Sequence, residues 1–381
     1  MIRSTTRNTF KCVKRSLTLK SQLNNNVVRS FSVNSFASRQ RRSVNNTAAS
    51  FSLVNNRSTA FQVRSNLSRH AQLRSYALSA PHGGELVDLV ATGEALTKLR
   101  AEAIKLPTLR LNQRHLCDIE LIMNGSFSPL DGFMTKQDYD SVVNNMRLQN
   151  GALFPLPVTL DVSEKQAATL KEGESITLVD AEGDMLAVLD VTSVWRPDLK
   201  EEALKTFGTT ELGHSGVHYL LQQSGPVYVG GKLRGLQLPA HYDYVNLRKT
   251  PKELRKQFEA DGWDKIVAFQ TRNPMHRAHR ELTVRAAKTE NAKILIHPVV
   301  GMTKPGDVDH HTRVKCYKAI MPSYPEGQAK MSLLNLAMRM GGPREALLHA
   351  IIRKNHGATH FIVGRDHAGP GDNSKGEPFY G

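Results

Sequence analysis

Gln270-Thr271-Arg272-Asn273-Pro274-Met275-His276-Arg277-Ala278-His279 gathers an amide, a hydroxyl, a guanidinium and two imidazoles into ten residues. These are the groups that neutralise and orient oxyanions. The apolar run Ile266-Val267-Ala268-Phe269 before them predicts a short buried strand, and residues 275–288 predict a helix. The polar residues between would form a strand-to-helix turn, where free backbone N–H groups and the positive end of a helix dipole face an anion. Pro274 is expected just before the helix, where its missing N–H costs nothing. Spaced three apart, His276 and His279 would share one face of the first turns and point toward the same anion. A merely structural role fits poorly, because a buried core does not tolerate so many polar groups without partners. Zinc is the competing reading of the two histidines, but a catalytic zinc needs a third ligand and an open position. Asp309-His310-His311 is read as a polar helix start.

Together with Gly364-Arg365-Asp366-His367-Ala368-Gly369-Pro370-Gly371, this segment resembles the ATP sulfurylase, or sulfate adenylyltransferase, family. The stretches 124–134, 297–307 and 337–340 resemble family segments too, so the likeness extends from about Ala80 to Gly381. The resemblance implies transfer of AMP from MgATP to sulfate, giving adenosine 5′-phosphosulfate and pyrophosphate. It implies Thr271, Arg272 and Asn273 as catalytic residues, with His276 and His279 stabilising the phosphates of the transition state. Sulfate would be held by Gln270, Arg272 and the backbone of Ala368. ATP would be held by Gln270, Thr271, Arg272, Asn273, Gly364, Arg365, Asp366 and His367. Magnesium is expected to arrive with ATP and not at a metal site of the protein, since Mg²⁺ on substrate phosphates needs few protein carboxylates. A homo-oligomer is expected by the same resemblance, as is functional coupling to an APS kinase and a pyrophosphatase. The chain stops at Gly381 within a segment that family members continue through, which predicts a C-terminal truncation. Asn335 and Ser215 stand where relatives commonly have proline.

Alternating strand and helix patterns place these groups. Strand-like runs at 266–269, 294–300 and 360–363 alternate with helix-like runs at 277–288, 312–320 and 343–354. That alternation predicts an α/β fold with a parallel sheet, and the resemblance makes it a Rossmann-like nucleotidyltransferase domain over 246–381. In such sheets ligands bind beyond the carboxyl ends of the strands. Both segments directly follow strands, so they should meet at one rim. Residues 77–245 predict a smaller β-rich unit, with strands near 157–162, 175–180 and 185–191 and a turn at Ala181-Glu182-Gly183-Asp184. By resemblance this is a PUA-like β-barrel domain, which keeps an RNA-binding protein open as an alternative function. A nucleotidyltransferase with another acceptor is the second alternative. Residues 124–134 are expected to brace the barrel against the second domain, and Lys304-Pro305-Gly306-Asp307 to form a turn near the nucleotide rim, structural or ligand-binding.

The formal charge of +16 belongs almost wholly to a leader. Residues 1–84 hold 14 Lys and Arg and no Asp or Glu, and the remaining 37 basic residues balance 35 acidic ones. A nearly neutral body argues against nucleic acid as the partner. No run approaches the roughly 18 apolar residues of a membrane span. A leader rich in Ser, Asn and Arg, without a continuous apolar stretch, predicts a disordered transit peptide over residues 1–76. Arg74-Ser75-Tyr76-Ala77 resembles a mitochondrial matrix processing site, with a plastid leader as the alternative. Cys12, Cys117 and Cys316 form neither a CxxC pair nor a disulfide framework, and the last two are expected to be buried small hydrophobes.

Overall fold

The computed structural model describes residues 78–380. The leader and Cys12 lie outside them. The first half runs α1 (Gly93–Ala103), β1 (Thr108–Arg110), α2 (Gln113–Met123), β2 (Gly132–Phe133), α3 (Lys136–Asn145), β3 (Leu160–Val162), α4 (Glu164–Ala167), β4 (Ser175–Val179), β5 (Met185–Trp195), α5 (Leu199–Phe207), α6 (Ser215–Gln222) and β6 (Val227–Gly235). Its six-stranded sheet runs β1-β4-β5-β6, and β2 and β3 share the far edge of β6. Only the β1–β4 pair is parallel. The turn expected at 181–184 forms because the Asp180 carboxylate accepts the N–H groups of Gly183 and Asp184, with Gly183 at φ +95°.

Strand β6, the spine of this sheet, has no counterpart among the strands expected from sequence. Gly230 and Gly231 break its apolar pattern, and packing requires both. A Cβ on Gly231 would lie 2.0 Å from the Asp190 carbonyl oxygen, and one on Gly230 would lie 2.1 Å from that of Met134. Strand β5 outruns its expected end through a bulge between Val191 and Ser193 and reaches Trp195. There Tyr139, Trp195 and Tyr228 pack with ring centroids 5.6 to 5.7 Å apart.

Both tyrosine hydroxyls of that cluster donate to Glu202 Oε2, at 2.9 and 3.0 Å. Burial pushes the Glu202 carboxyl up to about 7, against those two hydrogen bonds. The folded chain therefore keeps a proton that the unfolded chain releases from about pH 4.5 upward. Its contribution to stability is complete below that pH and is lost as pH rises through about 7. Glu202→Gln keeps an acceptor for both hydroxyls and removes the titration. We expect it to raise stability at pH 8 by about 3 kcal/mol and to leave it unchanged near pH 4.5. Denaturation of both proteins at the two pH values checks this; a wild-type pH slope surviving in the variant would refute it.

The second half runs α7 (Pro251–Ala260), β7 (Ile266–Phe269), α8 (Arg277–Glu290), β8 (Lys293–Ile296), α9 (His310–Ile320), β9 (Ala329–Met331), α10 (Gly342–Asn355) and β10 (His360–Ile362). Local signals start these helices. Thr250 and Glu253 form a capping box with Pro251 in the first turn of α7, and Pro343 sits in the first turn of α10. Gly357, at φ +95°, follows the end of α10. All four strands are parallel, in the order β10-β7-β8-β9. The chain thus steps outward from β7 to β8 to β9 and then returns to the other side of β7. The gap between β7 and β10 is the topological switch point, where open α/β sheets bind ligands.

Strand β8 ends at Ile296, short of the expected Val300. Beyond it the chain keeps a parallel bridge between Val299 and Leu334, and Val299 N–H bonds the Thr271 carbonyl, so these residues support the loop after β7. Strand β9, missed from sequence, is three residues long.

The two halves share one apolar core. Phe127, Phe154 and Leu156 pack in the same cluster as Leu336, Met338, Leu348 and Ile352. Asn355 braces the join: its Nδ2 donates to the carbonyls of Ser126 (2.9 Å) and Ser128 (3.1 Å). The helices give no span long and apolar enough to cross a membrane among the described residues.

Candidate active site

Strand register brings the two polar segments together. Ile362 pairs with Phe269, so Gln270 and Val363 leave adjacent strands side by side at the switch point. A second link closes the rim from the turn at 304–307. Asp307 Oδ1 accepts from Arg272 Nη1, and Lys304 Nζ donates to the Pro370 carbonyl at 3.3 Å. That turn touches both segments at once.

The loop after β7 is held rigidly at its backbone. Thr271 Oγ1 donates to the Asn273 carbonyl (3.1 Å) and accepts the Asn273 N–H (3.0 Å). Helix α9 supports it from below through residues four apart on one buried face. Arg313 Nη1 donates to the carbonyls of Arg272 (3.1 Å) and Val299 (2.8 Å), and Tyr317 Oη donates to that of Asn273 (2.9 Å). Neither Arg313 nor Tyr317 was singled out from sequence. Their signal was the spacing with buried Val314 along one face of the helix, which reads as packing. Gln270 is buried against Met338, its Nε2 lying 3.9 Å from the sulfur.

The histidines depart from expectation. Helix α8 starts at Arg277, not Met275, because His276 is its N-cap in extended conformation. Pro274 accordingly lies two residues before the cap and outside the helix. His276 Nδ1 accepts the Ala278 N–H at 3.3 Å, and His279 Nδ1 faces the His276 N–H at 3.4 Å, a capping box made of two imidazoles. They do not simply line one helical face. An Nδ1 acting as acceptor leaves the neutral ring's proton on Nε2, so both rings offer Nε2–H. Burial, then the neighbouring His276, holds the His279 pKa below its ordinary value. The ring centroids are 4.1 Å apart.

Arg272 is paired at one guanidinium nitrogen, which Asp307 takes. Asp307 is the turn residue whose role the sequence left undecided, and its Oδ2 is buried without a partner. In the second segment, Gly364, Arg365 and Asp366 are exposed, and Arg365 makes no ion pair among the described residues. Ala368 is buried in the left-handed region at φ +55°, which a non-glycine residue adopts only when its surroundings impose it. Its carbonyl accepts the Gly342 N–H at 3.3 Å. At Gly369 the close approach is to Asp366 itself, whose Oδ1 would lie 1.8 Å from a Cβ. His367 Nε2 bonds His349 Nδ1 at 2.8 Å, a contact with α10 that the sequence did not suggest.

The donors at this rim suit anions and hydroxyls. Among the described residues the one metal-like constellation is Asp243, His310 and His311, with ligand atoms within 4.8 Å. It is satisfied as an ion-pair network: His310 Nε2 lies 2.7 Å from Asp243 Oδ2, and Arg248 Nη2 lies 2.6 Å from Oδ1. Asp309 caps α9 by accepting the Thr312 N–H. Its two imidazoles make this a poor set for Mg²⁺, which prefers oxygen ligands. Cys117 is buried, its thiol pushed up to about 12 by burial, and Cys316 is partly buried; both are free.

Residues 245–381 match the ATP-sulfurylase family and residues 79–238 the PUA-like domain. The chain is 59% identical over 303 residues to a sulfate adenylyltransferase of Eremothecium gossypii, covering 79% of this chain and 60% of that one. It is 57% identical over 299 residues to one of Schizosaccharomyces pombe, covering 78% and 61%. A solved structure, the hexameric APS kinase from Thiobacillus denitrificans, superposes with a TM-score of 0.65 at 34% identity, over 76% of this chain and 53% of that one. The chain thus spans about 60% of the length of these two curated relatives. With both regions matched and the two polar segments meeting at the switch point, the chain belongs to the ATP-sulfurylase family.

Proposed function

We propose that this chain transfers AMP from MgATP to sulfate, giving adenosine 5′-phosphosulfate and pyrophosphate. The observation that carries the reading is the meeting of residues 270–279 and 364–371 at the β7/β10 switch point, with a guanidinium at its centre. A sulfate oxygen attacks the α-phosphorus, the S–O–P link forms, and the bond to the bridging oxygen breaks with its electron pair leaving on pyrophosphate. Sulfate has no proton to lose at neutral pH, so the site needs charge stabilisation and alignment, not a general base. Thr271, Arg272 and Asn273 are the catalytic residues of this reading, and Gln270, Arg272 and the Ala368 backbone hold sulfate. His276 and His279 meet the phosphates through Nε2–H groups. Gly364, Arg365, Asp366 and His367 complete the nucleotide site. Mg²⁺ carried by the ATP phosphates would supply further charge neutralisation when bound.

The deciding experiment is sulfate-dependent pyrophosphate release from MgATP, with added pyrophosphatase to relieve the unfavourable equilibrium and Arg272→Ala as control. Release that requires both sulfate and Arg272 is the expected result; release indifferent to sulfate would send the search to other acceptors. His276→Asn separates capping from chemistry, because asparagine is a good N-cap but reaches less far. Activity should fall on the order of 100-fold with the melting temperature unchanged. A variant within threefold of wild type would remove His276 from the phosphate site.

Assembly as a homo-oligomer belongs to the same proposal, supported by the hexameric solved relative, as does coupling to an APS kinase and a pyrophosphatase that draw off the products. The acid-free basic leader supports mitochondrial import. A fluorescent fusion of residues 1–84 should enter mitochondria, and cytosolic or plastid fluorescence would refute that address.

A further inference from the structure

Behind His367 lies a buried chain of polar groups that the reaction above does not use. His367 Nε2 is 2.8 Å from His349 Nδ1, and His349 Nε2 is 3.4 Å from Glu345 Oε1. His349 and Glu345 are wholly buried. The carboxylate is anchored in turn, Oε1 accepting the Arg339 N–H (2.8 Å) and Oε2 the Gly341 N–H (3.0 Å). Burial alone would raise the Glu345 carboxyl, but His349 and these backbone donors hold it at about 2, so it is a permanent anion.

That anion decides where the protons sit. Only one of the two imidazoles can donate in the His349–His367 contact. If His349 carried its proton on Nδ1, its bare Nε2 would face the Glu345 oxygen 3.4 Å away, lone pair against carboxylate, with no hydrogen-bond donor to it among the described residues. The opposite arrangement puts the His349 proton on Nε2 toward Glu345, makes Nδ1 the acceptor, and requires His367 to donate from Nε2. His367 is then left with a bare Nδ1, which has no hydrogen-bond partner among the described residues. Burial, then His349 and Arg353, pushes the His367 pKa down to about 3, so the ring stays neutral and does not become a second donor. A bare nitrogen repels phosphate oxygens and accepts O–H or N–H.

We propose that His349 and Glu345 are positioning residues that lock His367 as a hydrogen-bond acceptor, so that its Nδ1 takes a hydroxyl or amino donor from the nucleoside half of the bound nucleotide and not a phosphate oxygen. The inference deepens the nucleotide reading given above and rests on it for the identity of the ligand. It splits the work of the two segments: the loop after β7 supplies donors for the phosphates, and His367 supplies an acceptor.

Nitrogen-15 NMR of histidine-labelled full chain, without ligand, tests the relay directly. The His367 signal, assigned by its loss in His367→Gln, should show the neutral Nε2–H form throughout pH 6–8; an Nδ1–H form or a charged ring would overturn the proposal. For the ligand, His349→Leu should weaken ATP binding by about tenfold and leave pyrophosphate binding unchanged. Equal weakening of both would overturn it, since a structural collapse or a phosphate contact acts on both. Ribose and base donors are separated with 2′-deoxy-ATP, 3′-deoxy-ATP and inosine triphosphate. The analogue lacking the donor should bind wild type about tenfold more weakly than ATP and lose nothing further in His349→Leu; if no analogue behaves so, the nucleoside assignment is wrong. Failure to bind either ATP or pyrophosphate would instead sink the nucleotide reading and the ligand half with it, while the NMR result decides the relay by itself.

Discussion

Arg272→Lys is expected to lower kcat/KM for sulfate on the order of 100-fold although charge is conserved. The reason lies in the Asp307 contact. A guanidinium can leave one N–H on Asp307 and still present others, in a planar fork, to two oxygens of a tetrahedral anion. An ammonium on a flexible stem is a point charge, and with a carboxylate beside it that charge is neutralised on the protein. The Arg272 backbone should not move, because its carbonyl is held by Arg313. The loss should therefore appear in sulfate-dependent kinetics with the melting temperature little changed. Sulfate-dependent turnover within twofold of wild type would show that Arg272 does not grip the anion.

Asp118→Asn should be the most damaging substitution for stability away from the cleft. Asp118 on α2 is wholly buried, and its Oδ2 accepts from Arg339 Nη2 at 2.7 Å across the join between the two halves. Removing its charge takes from the buried Arg339 guanidinium the one carboxylate it is paired with among the described residues, beside an Arg114 that stacks on Tyr219 at 3.8 Å and whose Nε is already unpartnered. The cost of breaking such a pair from one side is roughly 3–5 kcal/mol, a fall in melting temperature on the order of 10 °C. Asp118→Leu combined with Arg339→Met removes both charges of the pair and should recover much of the loss. A single variant melting within about 3 °C of wild type would mean that water already screens the pair.

The segments around both predictions differ in how far they could be read from sequence. Strand β7, the turn after it and the run of α8 were legible, because apolar runs, prolines and polar clusters act over a few neighbouring residues. The alternation of strand and helix likewise implied a parallel sheet and hence one rim for both polar segments. Strand β6 was not legible, since its paired glycines make sense only against the β5 bulge and the residue before Thr135 that crowd them. Nor was the first turn of α8, where a histidine takes the capping place usually held by Ser, Thr, Asp or Asn.

By itself the chain's sequence determined that a polar turn follows β7, which residues fill it, and that the excess basic charge lies in residues 1–84. Tertiary structure decided which atoms of those residues are free. Asp307 takes a nitrogen of Arg272 from 35 residues away, His349 takes one of His367 from 18, and Asp118 meets Arg339 across 221. Residue types and local periodicity carry no record of such partners, because each pairing exists only once packing has removed water and left a buried charge or ring nitrogen a single neighbour to bond.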